Sequence, residues 1–226
     1  MKHALLIGVG AEIGATLIAL NNPSSSGFHI SAAINRKPEN RINAQTSSAL
    51  ESMLARLILA QPHLAKDFSL VPNGNAIDVR GFPTRLYWGN AETIDLSILG
   101  KKYDLCIVAT SKKHINDLTF MGKMSKISKY TVGVAEATNL PSLYPNLQNL
   151  ESEWLPNKPV PLGQKRIFSL GSCQSNGWQA QLRAFLEINK RDIFASLDMR
   201  SLEVDIVHPD TPTGRLGTKS IDPREQ

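Results

Sequence analysis

Near its N-terminus the chain reads Gly8-Val9-Gly10-Ala11-Glu12-Ile13-Gly14, a glycine-rich turn between two apolar segments. The segment from His3 to Ile7 is strand-like, and Ile13, Leu17 and Leu20 recur at helical spacing after the turn. Glycines in such a place let the backbone approach a pyrophosphate and turn helix N-terminal N–H groups toward it. The pattern predicts a dinucleotide-binding strand, turn and helix, with these cofactor-site residues: Gly8, Gly10, Glu12, Ile13 and Gly14.

The same turn also has a purely structural interpretation. A strand and a helix can need glycines between them for tight packing and bind no ligand at all. The glycines are spaced G-x-G-x-x-x-G, one residue longer than the usual dinucleotide fingerprint, and Glu12 puts a negative charge near the helix end. The sequence leaves both interpretations open.

The next predicted strand, Phe28 to Ile34, is apolar almost throughout and completes a βαβ unit. It is followed by Asn35-Arg36-Lys37, where an NAD-binding fold usually offers an acidic residue to the ribose hydroxyls. A cation at this place favours the 2′-phosphate of NADP. We therefore expect Asn35 and Arg36 to contact the cofactor, with NADP slightly favoured over NAD. A solvent-facing Arg-Lys pair, or an acidic role for Glu39, are the alternatives.

Strands and helices alternate along most of the remaining chain, which predicts an α/β fold with a Rossmann-type doubly wound parallel sheet over residues 1–170. A helix is expected over Gln45–Ala60, capped by Thr46 or Ser47, and another over Lys113–Met124. An antiparallel excursion is expected over Phe68–Tyr87. Later strands are expected at Leu105–Ala109, Thr131–Ala135, Arg166–Leu170 and Ser201–Val207, and a helix at Asn176–Ile188. Thr110, just after one of these strands, is assigned to the cofactor site.

Composition and charge indicate which classes of binding partner to expect. The 226 residues carry 25 Lys and Arg against 20 Asp and Glu, a net charge of +5 that suits an anionic ligand. The basic residues are scattered and form no aromatic-interleaved patch, so nucleic acid is not expected as a partner. No apolar run approaches the roughly 20 residues of a membrane span, and we expect a cytoplasmic protein.

The two cysteines stand in very different settings. Cys106 lies inside the apolar strand Leu105-Cys106-Ile107-Val108 and is expected to be an inert core thiol. Cys173 follows a predicted strand and a Gly-Ser step, at the start of a predicted helix. A helix N-terminus and a neighbouring imidazolium can hold such a thiol as a reactive thiolate. No metal site is expected.

The segment around Cys173, Ser172-Cys173-Gln174-Ser175-Asn176, resembles the S-C-T-T-N active-site segment of glyceraldehyde-3-phosphate dehydrogenases. Further along, His208 is followed by Thr211 and Thr213, which resembles that family's catalytic histidine and the threonines three and five positions after it. Asn75 to Trp88 resembles the family's small antiparallel insertion. The resemblance covers essentially the whole chain and implies that residues 171–226 begin an α+β catalytic domain.

The resemblance also implies a chemistry. Cys173 would attack the aldehyde carbon, and His208 would activate the thiol and assist proton removal during hydride transfer to NAD(P). The substrate would be a phosphorylated sugar aldehyde, and inorganic phosphate would release the acyl group in phosphorylating members. Substrate and phosphate contacts would come from Ser172, Gln174, Thr211 and Thr213. A homo-oligomer is implied for the full-length protein.

Two alternatives remain beside this enzyme. Gln174 and Ser175 replace both threonines of the motif, and family members continue well past the position of Gln226. A fragment, or a short nucleotide-binding or regulatory homologue with impaired catalysis, would share these features. Semialdehyde dehydrogenases and acyl-phosphate reductases, which have the same two-domain plan, are the other alternative.

Overall fold

The computed structural model describes residues 1–9, 12–38, 48–72, 74–143, 166–171, 176–177 and 180–181, with the backbone alone for Glu12. Packing divides the chain into two units, Met1–Gln179 and Ala180–Gln226, and all the described strands belong to the first. The strand expected over 201–207 and most of the helix expected over 176–188 lie outside the described residues.

A single sheet organises the described residues, and its strand order is β3-β4-β5-β2-β1-β6-β7-β8. The six strands from β5 to β8 in this order run parallel, while β3 and β4 continue the sheet antiparallel at one edge. The α/β class and the antiparallel excursion are thus confirmed. The strands are β1 (Lys2–Ile7), β2 (Phe28–Asn35), β3 (Phe68–Leu70), β4 (Ala76–Val79), β5 (Phe82–Trp88), β6 (Tyr103–Val108), β7 (Ser128–Gly133) and β8 (Ile167–Ser169).

The described helices are short and connect the parallel strands. They are α1 (Glu12–Ala19), α2 (Pro23–Ser26), α3 (Ala49–Ala60), α4 (Lys112–Asn116) and α5 (Leu118–Ser125), with 3-10 turns at Pro62–Asp67 and Leu96–Leu99. Across the part of the chain that the structure describes, no helix has the length and apolar character needed to cross a membrane.

Helices pack on both faces of the sheet, and β1 shows why. Its residues alternate, so that Ala4 and Leu6 face one apolar cluster while Leu5 and Ile7 face the other, all four with no exposed surface. The first cluster contains buried side chains of α1 and α3, and the second contains those of α4 and α5. A strand segment buried on both faces is apolar, as β1 is from Ala4 to Ile7.

Two local predictions are wrong. Ser48, and not Thr46 or Ser47, caps α3, because its hydroxyl accepts a bond from the Glu51 amide at 3.1 Å and the Glu51 carboxylate accepts one from the Ser48 amide. The helix expected over Lys113–Met124 is divided between α4 and α5 at Asp117, whose carboxylate accepts from the Thr119 amide at 2.9 Å and so starts the second helix.

The buried face of α1 only partly follows the apolar spacing in the sequence. Ile13 and Leu20 are 48% and 59% exposed, whereas Ala15, Ile18 and Ala19 are buried in the core. Ala15 and Ala19 are small, which suits the close approach of α1 to β1 at Gly14, and Ile18 packs into the apolar cluster beside them. The spacing of Ile13, Leu17 and Leu20 thus predicts the helix, although of these three only Leu17 packs against the core.

Candidate functional site

The carboxyl ends of β1 and β6 lie side by side at the centre of the parallel strands. Ile7 pairs with Val108, and the Ala109 amide donates to the Ile7 carbonyl at 2.8 Å. The helix after β1 packs on one face of the sheet and the helices after β6 pack on the other. The loops after these strands therefore diverge, and open α/β sheets bind their ligands in the crevice between such loops.

Two glycines bring the turn after β1 close to its neighbours. Gly8 has φ +91°, and a Cβ at this residue would lie 2.6 Å from the Ala109 carbonyl oxygen. A Cβ at Gly14 would lie 2.1 Å from the Gly8 carbonyl oxygen, so α1 could not pack where it does. Packing thus requires both glycines, as the structural interpretation held. Dinucleotide-binding turns also use their first and third glycines for close packing, so this packing is compatible with a bound ligand.

Asn35, at the end of β2, fixes the loop after β1. Its Oδ1 accepts a hydrogen bond from the Val9 amide at 2.9 Å, and its Nδ2 donates to the Arg36 carbonyl at 2.8 Å. The Gly8 amide donates to the Ile34 carbonyl at 2.9 Å, so the turn is bonded to β2 at two successive residues. The structure thus gives Asn35 a part in shaping the turn, while a direct cofactor contact stays a prediction.

A small open cavity of about 250 Å³ lies at the carboxyl ends of β2 and β5. It is lined by Arg36, Lys37, Trp88, Gly89 and Asn90. Arg36 and Lys37 are exposed, and Trp88 Nε1 donates to Asn75 Oδ1 at 3.2 Å. Two cations beside an indole suit a phosphate attached to a planar or sugar group. The sequence did not indicate Trp88 or Asn90 as site residues, although Trp88 ends β5 and Asn90 follows it.

Thr110, the residue assigned to the cofactor site after β6, stands against the glycine turn. A Cβ on Gly8 would lie 2.8 Å from the Thr110 Cγ2, so the methyl group faces Gly8. The hydroxyl Oγ1 lies 3.1 Å from Nδ1 of His114, in α4. Gly8, Asn35 and Thr110 are therefore brought together around the end of β1, as members of one site must be.

His114 connects Thr110 to the Glu92 carboxylate, because each of its ring nitrogens lies within hydrogen-bond distance of one of them. Its Nε2 lies 2.6 Å from Oε1 of Glu92, and its ring stacks on Phe120 with the centroids 4.8 Å apart. The hydrogen bond from His114 holds the pKa of the Glu92 carboxyl below its usual value. The loop that carries Glu92 is fixed in turn by Lys123, whose Nζ donates to the Glu92 carbonyl at 2.9 Å. Sequence reasoning did not find Glu92 or His114.

Comparison with known proteins does not identify a family for this site. No family model matches the chain. No curated protein sequence matches it either. The candidate site is therefore defined by its geometry and by the motifs of the sequence.

The remaining predicted site residues fall outside the described part. They are Gly10, Ser172, Cys173, Gln174, His208, Thr211 and Thr213, together with the alternative Glu39 and the side chain of Glu12. Gly171, directly before the cysteine motif, follows β8 at the same edge of the parallel strands as Gly8. Asn176, which closes the motif, donates from Nδ2 to the Leu170 carbonyl at 2.5 Å.

Cys106 is a buried core thiol, as the sequence predicts. It is completely buried in β6, and burial raises the pKa of its thiol far above the usual range. A thiol that stays protonated is neither a nucleophile nor a metal ligand. Within the described ranges no group of three or more His, Cys, Asp or Glu side chains is placed to hold a metal ion.

Proposed function

We propose that the chain binds NAD(P), with NADP favoured, at the crevice between β1 and β6, and uses Cys173 to oxidise an aldehyde. The observation that carries the first part is the strand order. Numbered along the chain, the parallel strands β5, β2, β1, β6, β7 and β8 stand in the order 3-2-1-4-5-6. This is the order of Rossmann dinucleotide-binding sheets, with the glycine turn at the switch point where they bind the pyrophosphate.

The side chains around the crevice fit such a cofactor. The close contact of Gly14 with Gly8 brings α1 against β1, which is how the third glycine of a dinucleotide turn acts. Arg36 and Lys37 lie at the end of β2, where the adenosine ribose lies in this fold. An exposed guanidinium can bind a 2′-phosphate through two parallel hydrogen bonds, which supports NADP over NAD.

The bound dinucleotide would supply the hydride acceptor, and the chain's own residues would do the rest. The Cys173 thiolate would form a bond to the aldehyde carbon, and the carbonyl oxygen would take up a proton. His208 would then remove that proton as the hydride leaves carbon for the nicotinamide, which leaves a thioester. Attack by inorganic phosphate would break the C–S bond and release an acyl phosphate. Ser172, Thr211 and Thr213 would bind the phosphate groups.

A second candidate is a nucleotide-binding regulatory homologue without this chemistry. It is favoured by one observation, the replacement of both motif threonines by Gln174 and Ser175. This homologue would keep the crevice and the cations at the end of β2. The two candidates differ in one measurable property, which is aldehyde-dependent reduction of the coenzyme.

Arg36→Asp should reverse the coenzyme preference. With glyceraldehyde 3-phosphate as the probe aldehyde, wild type should show a higher kcat/KM for NADP than for NAD. The variant should lose about 10–100-fold in kcat/KM for NADP, the usual effect of one lost charge-assisted bond. The measurement is the absorbance of the reduced nicotinamide at saturating aldehyde. Lys37→Ala, which keeps the guanidinium, should cost less.

Two outcomes would count against this account. The first is that wild type prefers NAD and Arg36→Asp changes kcat/KM for neither coenzyme. The 2′-phosphate assignment would then be wrong, and Asn35 or Glu39 would become the better ribose contact. If neither coenzyme is reduced with this or any other aldehyde, although the dinucleotide binds, the regulatory homologue is the correct interpretation.

A further inference from the structure

Thr110, His114 and Glu92 form a hydrogen-bonded chain that leads away from the glycine turn. The chain runs from Thr110 Oγ1 to His114 Nδ1 at 3.1 Å and from His114 Nε2 to Glu92 Oε1 at 2.6 Å. Phe120 stacks on the imidazole and holds the plane of the ring. The three groups come from the loop before the Leu96–Leu99 turn, the end of β6 and α4, so the chain is a tertiary arrangement.

The carboxylate decides which ring nitrogen of neutral His114 carries the proton. An ionised carboxylate can only accept, so Nε2 must donate to Glu92. Nδ1 then has a free lone pair, and the Thr110 hydroxyl must donate its only hydrogen to it. In this state Thr110 offers only lone pairs to a ligand in the crevice.

Protonation of the imidazole reverses the direction of the second bond. Both ring nitrogens of a histidinium donate, so Nδ1 donates to Thr110 Oγ1 and the hydroxyl hydrogen becomes free. That hydrogen can then be donated to a phosphate oxygen, and the positive charge favours the same anion. Glu92 keeps its negative charge through this change, because its hydrogen bond to His114 lowers its pKa.

We propose that His114, backed by Glu92, is a positioning residue that sets whether Thr110 donates or accepts at the crevice, and so couples dinucleotide binding to protonation. This inference rests on the proposed function, because it takes the dinucleotide phosphates as the anion beside Thr110. It adds a role for two residues that touch neither coenzyme nor aldehyde.

The other charges near the imidazole do not disturb this arrangement. Lys113, on α4 itself, lies near enough to Glu92 to favour its ionised form. Lys123 of α5 binds the backbone carbonyls of Glu92 and Ile94, at 2.9 and 3.0 Å. Lys112 pairs with Glu136 instead.

The test is the pH dependence of NADPH affinity, measured by calorimetry at about pH 6 and about pH 8 on the full chain. Relative to a variant that cannot titrate, wild type should gain about tenfold in affinity at the lower pH, the value of one additional hydrogen bond to an anion. His114→Asn and His114→Gln cannot titrate. The 2′-phosphate of NADPH also changes its protonation in this range, but it does so for every variant. Dividing the wild-type affinity by the variant affinity at each pH therefore cancels this contribution.

A merely structural role would give a different result. If His114 only fixes the loop, both variants should lose thermal stability while the pH dependence of affinity stays that of wild type, which would overturn the inference. Thr110→Val should show the same pH dependence as the two histidine variants, since it keeps the methyl group against Gly8 and removes the hydroxyl. Binding by wild type with the same pH dependence as Thr110→Val would overturn the inference alone. Absence of binding at both pH values would contradict the proposed function, and the inference with it.

Discussion

Gly14→Ala is expected to destabilise the described unit by about 3 kcal/mol or more, the upper range for overpacking. The added Cβ would lie 2.1 Å from the Gly8 carbonyl oxygen, and that atom is backbone and cannot move aside as a flexible side chain could. Relief would require α1 to move away from β1, which would open the apolar cluster that contains Leu6 and Ile18. Urea unfolding followed by circular dichroism measures the change.

Gly122→Ala is the matched control, because Gly122 lies in α5 and a Cβ there would meet no atom within 4 Å. Alanine is a better helix former than glycine, so this variant should be unchanged or slightly more stable. Equal stability of the two variants would contradict the close packing of α1 on the turn.

Cys173 is expected to react with iodoacetamide far faster than Cys106. Burial keeps the Cys106 thiol protonated and out of contact with reagents, whereas Cys173 follows a Gly-Ser step in a motif that resembles a nucleophile segment. Peptide mass spectrometry after timed labelling gives both rates. The rate at Cys173 should rise with pH at a midpoint below the ordinary pKa of a free cysteine.

His208→Ala tests the pairing of the two residues. Loss of a neighbouring imidazolium should move the midpoint of Cys173 labelling up toward the ordinary value and slow labelling at neutral pH. Cys173→Ser should abolish aldehyde oxidation and leave NADPH binding intact. If His208→Ala labels as wild type does, or if Cys106 labels as fast as Cys173, the thioester mechanism loses its main support.

The sequence predicts the parallel strands well because each is a short apolar run between turn residues. Ala4 to Ile7 and Ala32 to Ile34 are buried on both faces, and strand residues in that position are apolar. The glycine turn is predicted for a similar reason, since the contacts of Gly8 and Gly14 leave no room for a side chain.

Two features that the sequence did not predict, the turn at Arg80 and the start of α5, depend on hydrogen bonds of aspartate side chains. The turn between β4 and β5 places Arg80 at φ 55°, and few non-glycine residues adopt such a conformation. It is held by Asp67, whose Oδ2 accepts from Arg80 Nη2 at 2.7 Å, a contact with a residue outside the turn. Asp117 likewise interrupts an apolar helical pattern because its carboxylate caps α5.

The candidate site was predictable only where it depends on a motif. Gly8, Arg36 and Thr110 follow strands at their carboxyl ends, and that position can be inferred from a strand pattern. Glu92 and His114 are 22 residues apart, and neither stands in a recognisable spacing. Their contact depends on how the loop before the Leu96–Leu99 turn packs against α4, which is a tertiary property.

The central claim, that the glycine turn binds a dinucleotide, is tested most directly by titrating NADPH into the wild-type chain and into Gly10→Val by calorimetry. Gly10 is the middle glycine of the turn, and a side chain there would occupy the space of the pyrophosphate. The account predicts saturable binding to one site in wild type, no binding in Gly10→Val, and wild-type affinity in the control Gly122→Ala. Equal affinity in wild type and Gly10→Val, or no binding by wild type, would contradict it.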